Sequence, residues 1–365
     1  MKRVLCILSG MNAGGAETFL MKMYRAIDKS EYQMDFCVNV KEKNFYEDEI
    51  LSLGGRMFRI PAKSQDLKEY KRQLTEIVRN EGYEYVLRIT SNCMGFMDLK
   101  VAKKAGARVC SARSSNASDG GGIKSFVAHR LGRIMYSKYV DVKIAPSDLA
   151  AKYTFGKKAY EKGNVHILHN AVDLNVFCFD AEARKNIRKE LSIADGVKVI
   201  GHVGRFSTQK NHSFLLDVFA NIRKKDEKTV LVLVGVGELM DDVKAKIHEL
   251  GLDGAVILTG VRNDVPKLLS AFDAFVFPSF YEGMPNTVIE AQATGLPCVI
   301  ADTITREANI TGLVEYLPLG DAELWARKSL LALEGERLDT RDDFVKNKYD
   351  VESAALDFAK TVMPD

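Results

Sequence analysis

Short runs rich in Val, Ile and Leu alternate with helical patterns along this chain, and the alternation starts twice. In the first half the apolar runs fall at residues 4–8, 33–38, 56–60, 85–89, 108–111, 142–145 and 165–168, with helical periodicity between them, as at 16–27, 66–80 and 123–138. After Asp180 the pattern restarts, with runs at 197–203, 229–234, 255–258, 274–277, 298–300 and 314–316. Helical stretches follow these at 212–225, 238–250, 285–294 and 321–333. Strand–helix–strand alternation with strands that are apolar on both faces predicts parallel sheets covered by helices on both sides. The expected fold class is therefore α/β, with two doubly wound, Rossmann-like domains. Length agrees, since 365 residues exceed what one core holds before a chain splits, about 250–300 residues. The segment His169-Asn170-Ala171-Val172-Asp173 follows a strand and precedes a charged helix with no apolar run between, so it is the linker candidate. The expected domains are 1–175 and 176–350, with the last helical segment, within 351–365, a candidate to cross back onto the first. Ligands of doubly wound sheets bind beyond the carboxyl ends of the strands. Two such domains facing each other predict an interdomain cleft.

A net charge of +3 gives no bulk attraction toward nucleic acid. The six cysteines include no C-x-x-C pair and none near a His pair at metal spacing; most lie in apolar runs. They read as buried free thiols in a reducing compartment. Residues 1–8 carry an apolar run suited to a first strand and too short for a secretory signal. No apolar stretch reaches the roughly 18–20 residues that span a bilayer. The expected location is cytoplasmic, with attachment to a membrane surface left open.

Three loops carry chemistry. Gly10-Met11-Asn12-Ala13-Gly14-Gly15-Ala16-Glu17 follows the first strand and opens a helix. Adjacent glycines let backbone N–H groups approach an anion at a helix N-terminus, although a plain strand-to-helix turn would look the same. Gly201-His202-Val203-Gly204-Arg205-Phe206-Ser207-Thr208-Gln209-Lys210-Asn211 follows the first strand of the second half. Arg205 and Lys210 there would suit a departing diphosphate, which gains charge as its bond breaks. A solvated loop is the alternative, and His202 reads as a core histidine. The most specific signal is Phe280-Tyr281-Glu282-Gly283-Met284-Pro285-Asn286-Thr287-Val288-Ile289-Glu290-Ala291. Pro285 suits a first helical turn, and the N–H groups from Gly283 to Asn286, Pro285 excepted, would form a seat for hydroxyls or phosphate oxygens. Glu290 shares a helix face with Asn286, and a carboxylate can accept both hydroxyls of a ribose. Gly235-Val236-Gly237-Glu238 and Thr259-Gly260-Val261-Arg262-Asn263-Asp264-Val265 also follow strands of the second half. Met240 stands at the third glycine position of a dinucleotide fingerprint, which excludes that reading. No D-x-D sequence occurs, so no metal seat and no cofactor are expected.

The order GG-A-E, then G-R-F-x-x-Q-K-N, then Y-E-G-x-P-N with E-x7-E, resembles glycosyltransferase family 4. The resemblance runs over nearly the whole chain and is most specific from Gly201 to Thr305. It implies the GT-B architecture and retention of anomeric configuration. The most similar subset builds bacterial capsular and extracellular polysaccharide. It implies that Arg205 and Lys210 hold the diphosphate of a UDP-sugar, Glu282 the transferred hexose, and Glu290 the ribose. The main chain of Gly204, Gly235, Gly237 and of Gly283 through Thr287 would line the donor. Val261 and Arg262 would meet the base through their main chain, and Gly14 and Gly15 would close the site from the first domain. Many relatives carry a histidine in a stretch like A-H-S-H-N; here the stretch reads Ser111-Ala112-Arg113-Ser114-Ser115-Asn116, with Arg113 at that position. Arg113 and Asn116 become acceptor-side candidates.

Residues 123–138 carry Lys124, Arg130, Arg133 and Lys138 without an acid, beside Phe126, Val127, Leu131, Ile134 and Met135. This is either an ordinary core-facing helix or a cationic amphipathic surface for an anionic membrane. The expectation is a metal-independent hexosyltransferase with a nucleotide-sugar donor and a glycan or lipid-linked acceptor. A UDP-sugar epimerase of the same architecture and a silent sugar-binding partner subunit are the rivals; a dehydrogenase is disfavoured for want of a complete G-x-G-x-x-G.

Overall fold

The computed structural model describes residues 1–12, 14–115, 122–282 and 284–365. Among them the chain forms two compact units, Met1–Ala171 with Lys348–Asp365, and Val172–Asn347. In the first unit seven strands, β1 (Lys2–Ile7), β2 (Tyr32–Val38), β3 (Met57–Arg59), β4 (Tyr85–Thr90), β5 (Val109–Ser114), β6 (Val142–Ala145) and β7 (His166–Ile167), pair in the order β3-β2-β1-β4-β5-β6-β7. Every pairing is parallel. Alternation along β1 shows why: Val4 and Cys6 enter one core, while Leu5 and Ile7 enter the other. The helices Gly15–Ala26 and Val351–Val362 cover the first face, where the Phe19 and Phe358 rings meet edge-on at 6.0 Å. Tyr70, Leu74, Phe96 and Phe155 fill the opposite face.

In the second unit β8 (Lys198–Val203), β9 (Thr229–Val234), β10 (Val256–Gly260), β11 (Ala274–Phe277), β12 (Cys298–Ala301) and β13 (Val314–Leu317) pair as β10-β9-β8-β11-β12-β13, again all parallel. Trp325 is fully buried in this core, its Nε1–H donating to the Pro318 carbonyl at 2.8 Å. Each sheet thus reverses its order once, between β1 and β4 and between β8 and β11. At such a point two neighbouring loops leave the carboxyl edge in opposite directions and open a crevice.

The unit boundary lies earlier than the 175/176 division expected from sequence. Arg341 Nη2 donates to the Leu174 carbonyl at 3.0 Å and to Asn175 Oδ1 at 3.1 Å, which fastens both residues to the second unit. On the return, Tyr349 stacks on His169 at 4.1 Å, so the second unit ends at Asn347 rather than at 350.

Candidate functional site

The loops leaving β8 and β11 converge at the order reversal of the second sheet. Lys210 Nζ donates to Glu282 Oε1 at 2.6 Å. Both side chains are largely covered, at 18% and 10% exposure, and Nζ sits 4.7 Å over the Phe277 ring. The loops are laced together: Phe280 N–H donates to the Gln209 carbonyl at 2.9 Å, and Gln209 Nε2 to the Tyr281 carbonyl at 2.8 Å. Asn211, with φ of 55°, turns the chain from the loop into the helix His212–Arg223. Asn tolerates this left-handed conformation better than most residues.

A third loop, after β9, lies against the first. Gly204 N–H donates to Val234 O at 3.0 Å and Phe206 N–H to Val236 O at 3.1 Å, so the ladder continues past the strands. A Cβ on Gly235, where φ is 132°, would run into the Gly204 carbonyl, and one on Gly237 into the Phe206 carbonyl. Glycine is required for this approach. Arg205 is left exposed, with Nη2 3.2 Å from Glu238 Oε2. Both cations therefore face carboxylates. The partnership of Glu238 and the platform of Phe277 had not been singled out from sequence.

Beneath Lys210 lie two buried imidazoles. His202 and His212 have ring centroids 4.8 Å apart. His202 Nδ1–H donates to the Val276 carbonyl at 2.9 Å, which leaves Nε2 as an acceptor. Burial, with His212 and Lys210 adding repulsion, holds His202 well below its ordinary pKa. Burial and the Lys210 charge lower His212 to about 4.

The helix Asn286–Ala293 begins one residue later than expected. Pro285 stands at its N-cap, with ψ of 91°, rather than in the first turn. It acts through its carbonyl, which accepts from Val288 N–H at 3.0 Å. Val288, Ile289, Ala291 and Gln292 are buried, which puts Glu290, Thr287 and Asn286 on the outer side. Gln292 fixes this rotation: Nε2 donates to Ala308 O at 2.7 Å, and Oε1 accepts from Ile310 N–H at 3.0 Å. Met284 packs on the core, and Gly283 lies outside the described residues. Arg262 is gripped by Asp264 at 2.8 and 2.7 Å and by Glu190, so its loop presents the exposed Val261 instead.

In the first unit Gly14 caps the helix Gly15–Ala26, Gly15 is exposed, and Ala13 lies outside the described residues. Arg113, near the end of β5, is 2% exposed. Its Nη2 donates to Asn170 Oδ1 at 2.8 Å, and its guanidinium lies 3.5 Å over the Phe19 ring. No carboxylate pairs with it among the described residues, and burial lowers its pKa to about 9. Asn116 is outside the described residues. His169, read from sequence only as linker, lies next to Asn170; its Nδ1–H donates to Pro146 O at 3.1 Å, and burial lowers its pKa.

The helix Gly122–Tyr136 buries His129, Gly132 and Tyr136 and exposes Phe126, Val127, Leu131, Ile134 and Met135. Its apolar stripe faces outward, unlike that of a core-facing helix. No described helix is long and apolar enough to cross a membrane, and no three His, Cys, Asp or Glu side chains among the described residues are grouped for a metal ion.

A family model described as Glycosyl transferases group 1 matches residues 183–351. A Bacillus subtilis protein named glycosyltransferase EpsF is 35% identical over 351 residues, covering 94% of this chain and 91% of its own. An Escherichia coli enzyme named UDP-Gal:alpha-D-GlcNAc-diphosphoundecaprenol alpha-1,3-galactosyltransferase is 36% identical over 141 residues, 38% of this chain and 36% of its own. Among solved structures, Anabaena HepE in complex with UDP and glucose aligns with a TM-score of 0.78 over 100% of both chains, at 16% identity.

Proposed function

The chain belongs to the group 1 glycosyl transferases and has the GT-B fold, and from that premise we propose that it is a retaining transferase moving a hexose from a UDP-sugar to a hydroxyl of a lipid-linked glycan in capsular or extracellular polysaccharide synthesis. The observation that carries this reading is the Lys210–Glu282 pair at the order reversal of the second sheet. A donor offers each member a replacement partner: diphosphate oxygens for Lys210 and sugar hydroxyls for Glu282. Neither charge is then left buried alone, which would be costly. Arg205 is the second cation for the diphosphate, and its exposed pairing with Glu238 is weak enough to exchange. Glu290 takes the ribose, with the main chain of Met284 to Thr287 alongside. As the bond from the anomeric carbon to phosphate oxygen breaks, the bond to the acceptor oxygen forms, and the hydroxyl proton passes to the departing phosphate. Charge grows on the diphosphate, where Lys210 and Arg205 act most strongly in the transition state.

The E. coli relative's name, with its UDP-Gal donor, diphosphoundecaprenol acceptor and alpha linkage, supports this choice of substrates. We assign Gly14 and Gly15 to the donor and Arg113 to the acceptor. The outward stripe of the helix Gly122–Tyr136 would seat the enzyme on the inner face of the cytoplasmic membrane. A thermal-shift panel of nucleotide-sugars tests the donor. UDP and one UDP-hexose should raise the apparent stability, by about 2.7 kcal/mol at a hundred times Kd. No response to any nucleotide-sugar would remove the reading. We propose that no metal ion is needed, so transfer should survive excess chelator; loss restored by magnesium or manganese would reverse that assignment.

A further inference from the structure

The first unit holds a cavity of about 540 Å³ that no residue assigned above lines. It opens beyond the carboxyl ends of β2 and β3, on the sheet edge that carries the Gly10–Gly15 turn. Asn39 enters it just past β2, Gln65 lies just before the helix Leu67–Asn80, and Glu69 and Gln73, spaced by four, bring one side of that helix to it. Val40, Ile60 and Pro61 give it an aliphatic surface. Its wall is tied to the glycine turn. Asn39 N–H donates to Ser9 O at 3.0 Å, and the buried Asn44 accepts from Met11 N–H at 2.7 Å while donating to Glu42 O at 3.3 Å.

The lining chemistry selects a ligand class. Lys41 and Arg59 balance Glu42 and Glu69, so neither a phosphate nor a cation is favoured. Arg59 already pairs with Glu47, and hydrogen bonds from Arg72 and Gln73 lower Glu69 to about 2. Gln73 Nε2 donates to Glu69 Oε1 at 2.7 Å, and Asn39 Nδ2 is buried with no hydrogen-bond partner among the described residues. Amides and a fixed carboxylate beside an aliphatic surface, in a volume within the usual range for small-ligand sites, suit a neutral, hydroxyl-rich ring. We propose that this cavity binds a sugar ring of the acceptor glycan, an inference that rests on the transferase reading.

The test is an NMR titration of the full chain, labelled with 15N. Glucose, galactose, mannose, N-acetylglucosamine and N-acetylgalactosamine are added in turn, and UDP in a parallel series. At least one sugar should shift the side-chain amides of Asn39, Gln65 and Gln73 saturably. Asn39→Ala and Gln73→Ala should weaken that binding about three- to tenfold, the effect of one or two lost hydrogen bonds, with the UDP response unchanged. Three unmoved amides, with UDP still shifting the Lys210 and Glu290 region, would overturn the cavity assignment and leave the transferase reading standing. Sugar binding undiminished in both variants would overturn it as well. Sugar shifts at the cavity with no UDP response would support a sugar site and count against the UDP-sugar reading instead.

Discussion

Lys210 has an acid, an aromatic face and two imidazoles around it, and the imidazoles are the least expected of these. Protonating either would set a second buried positive charge beside the ammonium. His212 therefore titrates near 4 in the folded chain, against 6.5 for an exposed histidine. Below pH 6.5 the unfolded chain takes up a proton that the folded chain refuses. The stability contributed is complete above 6.5 and falls away as the pH drops toward 4. By pH 5 the loss should be about 2 kcal/mol. Urea unfolding of the parent and of His212→Phe at about pH 7 and pH 5 checks this; a variant with the parent's full acid sensitivity would contradict it. For Lys210 the expectation is kinetic. Lys210→Ala should lower turnover by about ten- to a hundredfold with a smaller change in donor KM, because the leaving diphosphate needs the charge most as it departs. A variant with a raised KM and intact turnover would reduce Lys210 to a ground-state contact.

Elements differ in how far the sequence shows them. The strands were legible because apolar runs such as Thr229–Val234 are buried on both faces and bounded by turns. Helix starts were less so. The helix expected from 238 begins at Met240, because Leu239 N–H is held by the Phe206 carbonyl and Gly237 is pressed against the same residue. The unit boundary depends on Arg341 reaching Leu174 across 167 positions, and no local pattern encodes that. The helix Gly122–Tyr136 shows a further limit. Its periodicity displays two stripes, and only the structure shows that His129 and Tyr136 face inward while Ile134, 73% exposed, faces out. Its cations also divide. Arg133 is partly buried and donates to Tyr153 O at 3.3 Å, whereas Arg130, and Lys138 just past the end of the helix, are exposed. Arg130→Glu with Lys138→Glu should therefore weaken binding to anionic vesicles at least tenfold, given about 1 kcal/mol per basic residue near such a surface. UDP affinity should not change. Equal vesicle binding by variant and parent would leave the stripe without a membrane role.

At the scale of the whole molecule, the sequence marked both loops as following strands of the second half, and left the order reversal that brings them together and their pairing hidden. Lys210 and Glu282 stand 72 positions apart, and the distance between them depends on Gln209 and Phe280 lacing the loops together. In the first unit the sequence marked Arg113, but not that it would be buried with an asparagine and a phenyl ring for company. That burial bears on how transfer proceeds. An inverting transferase needs a base opposite the leaving group. Arg113 does not serve as one: even at about 9 its guanidinium is charged at neutral pH. A buried cation with no carboxylate partner among the described residues is instead suited to an anionic group of the acceptor. Arg113→Ala should therefore weaken acceptor binding and leave the basic limb of the pH–rate profile in place. If the proton goes to the departing phosphate, donor and product share one anomeric configuration. The expected product of an α-linked UDP-hexose is thus α-linked, read from the coupling of the new anomeric proton by NMR. A β-linked product would sink same-face attack and return the search for a base to the first unit, where His169, neutral and holding its proton on Nδ1, would be the first residue to replace.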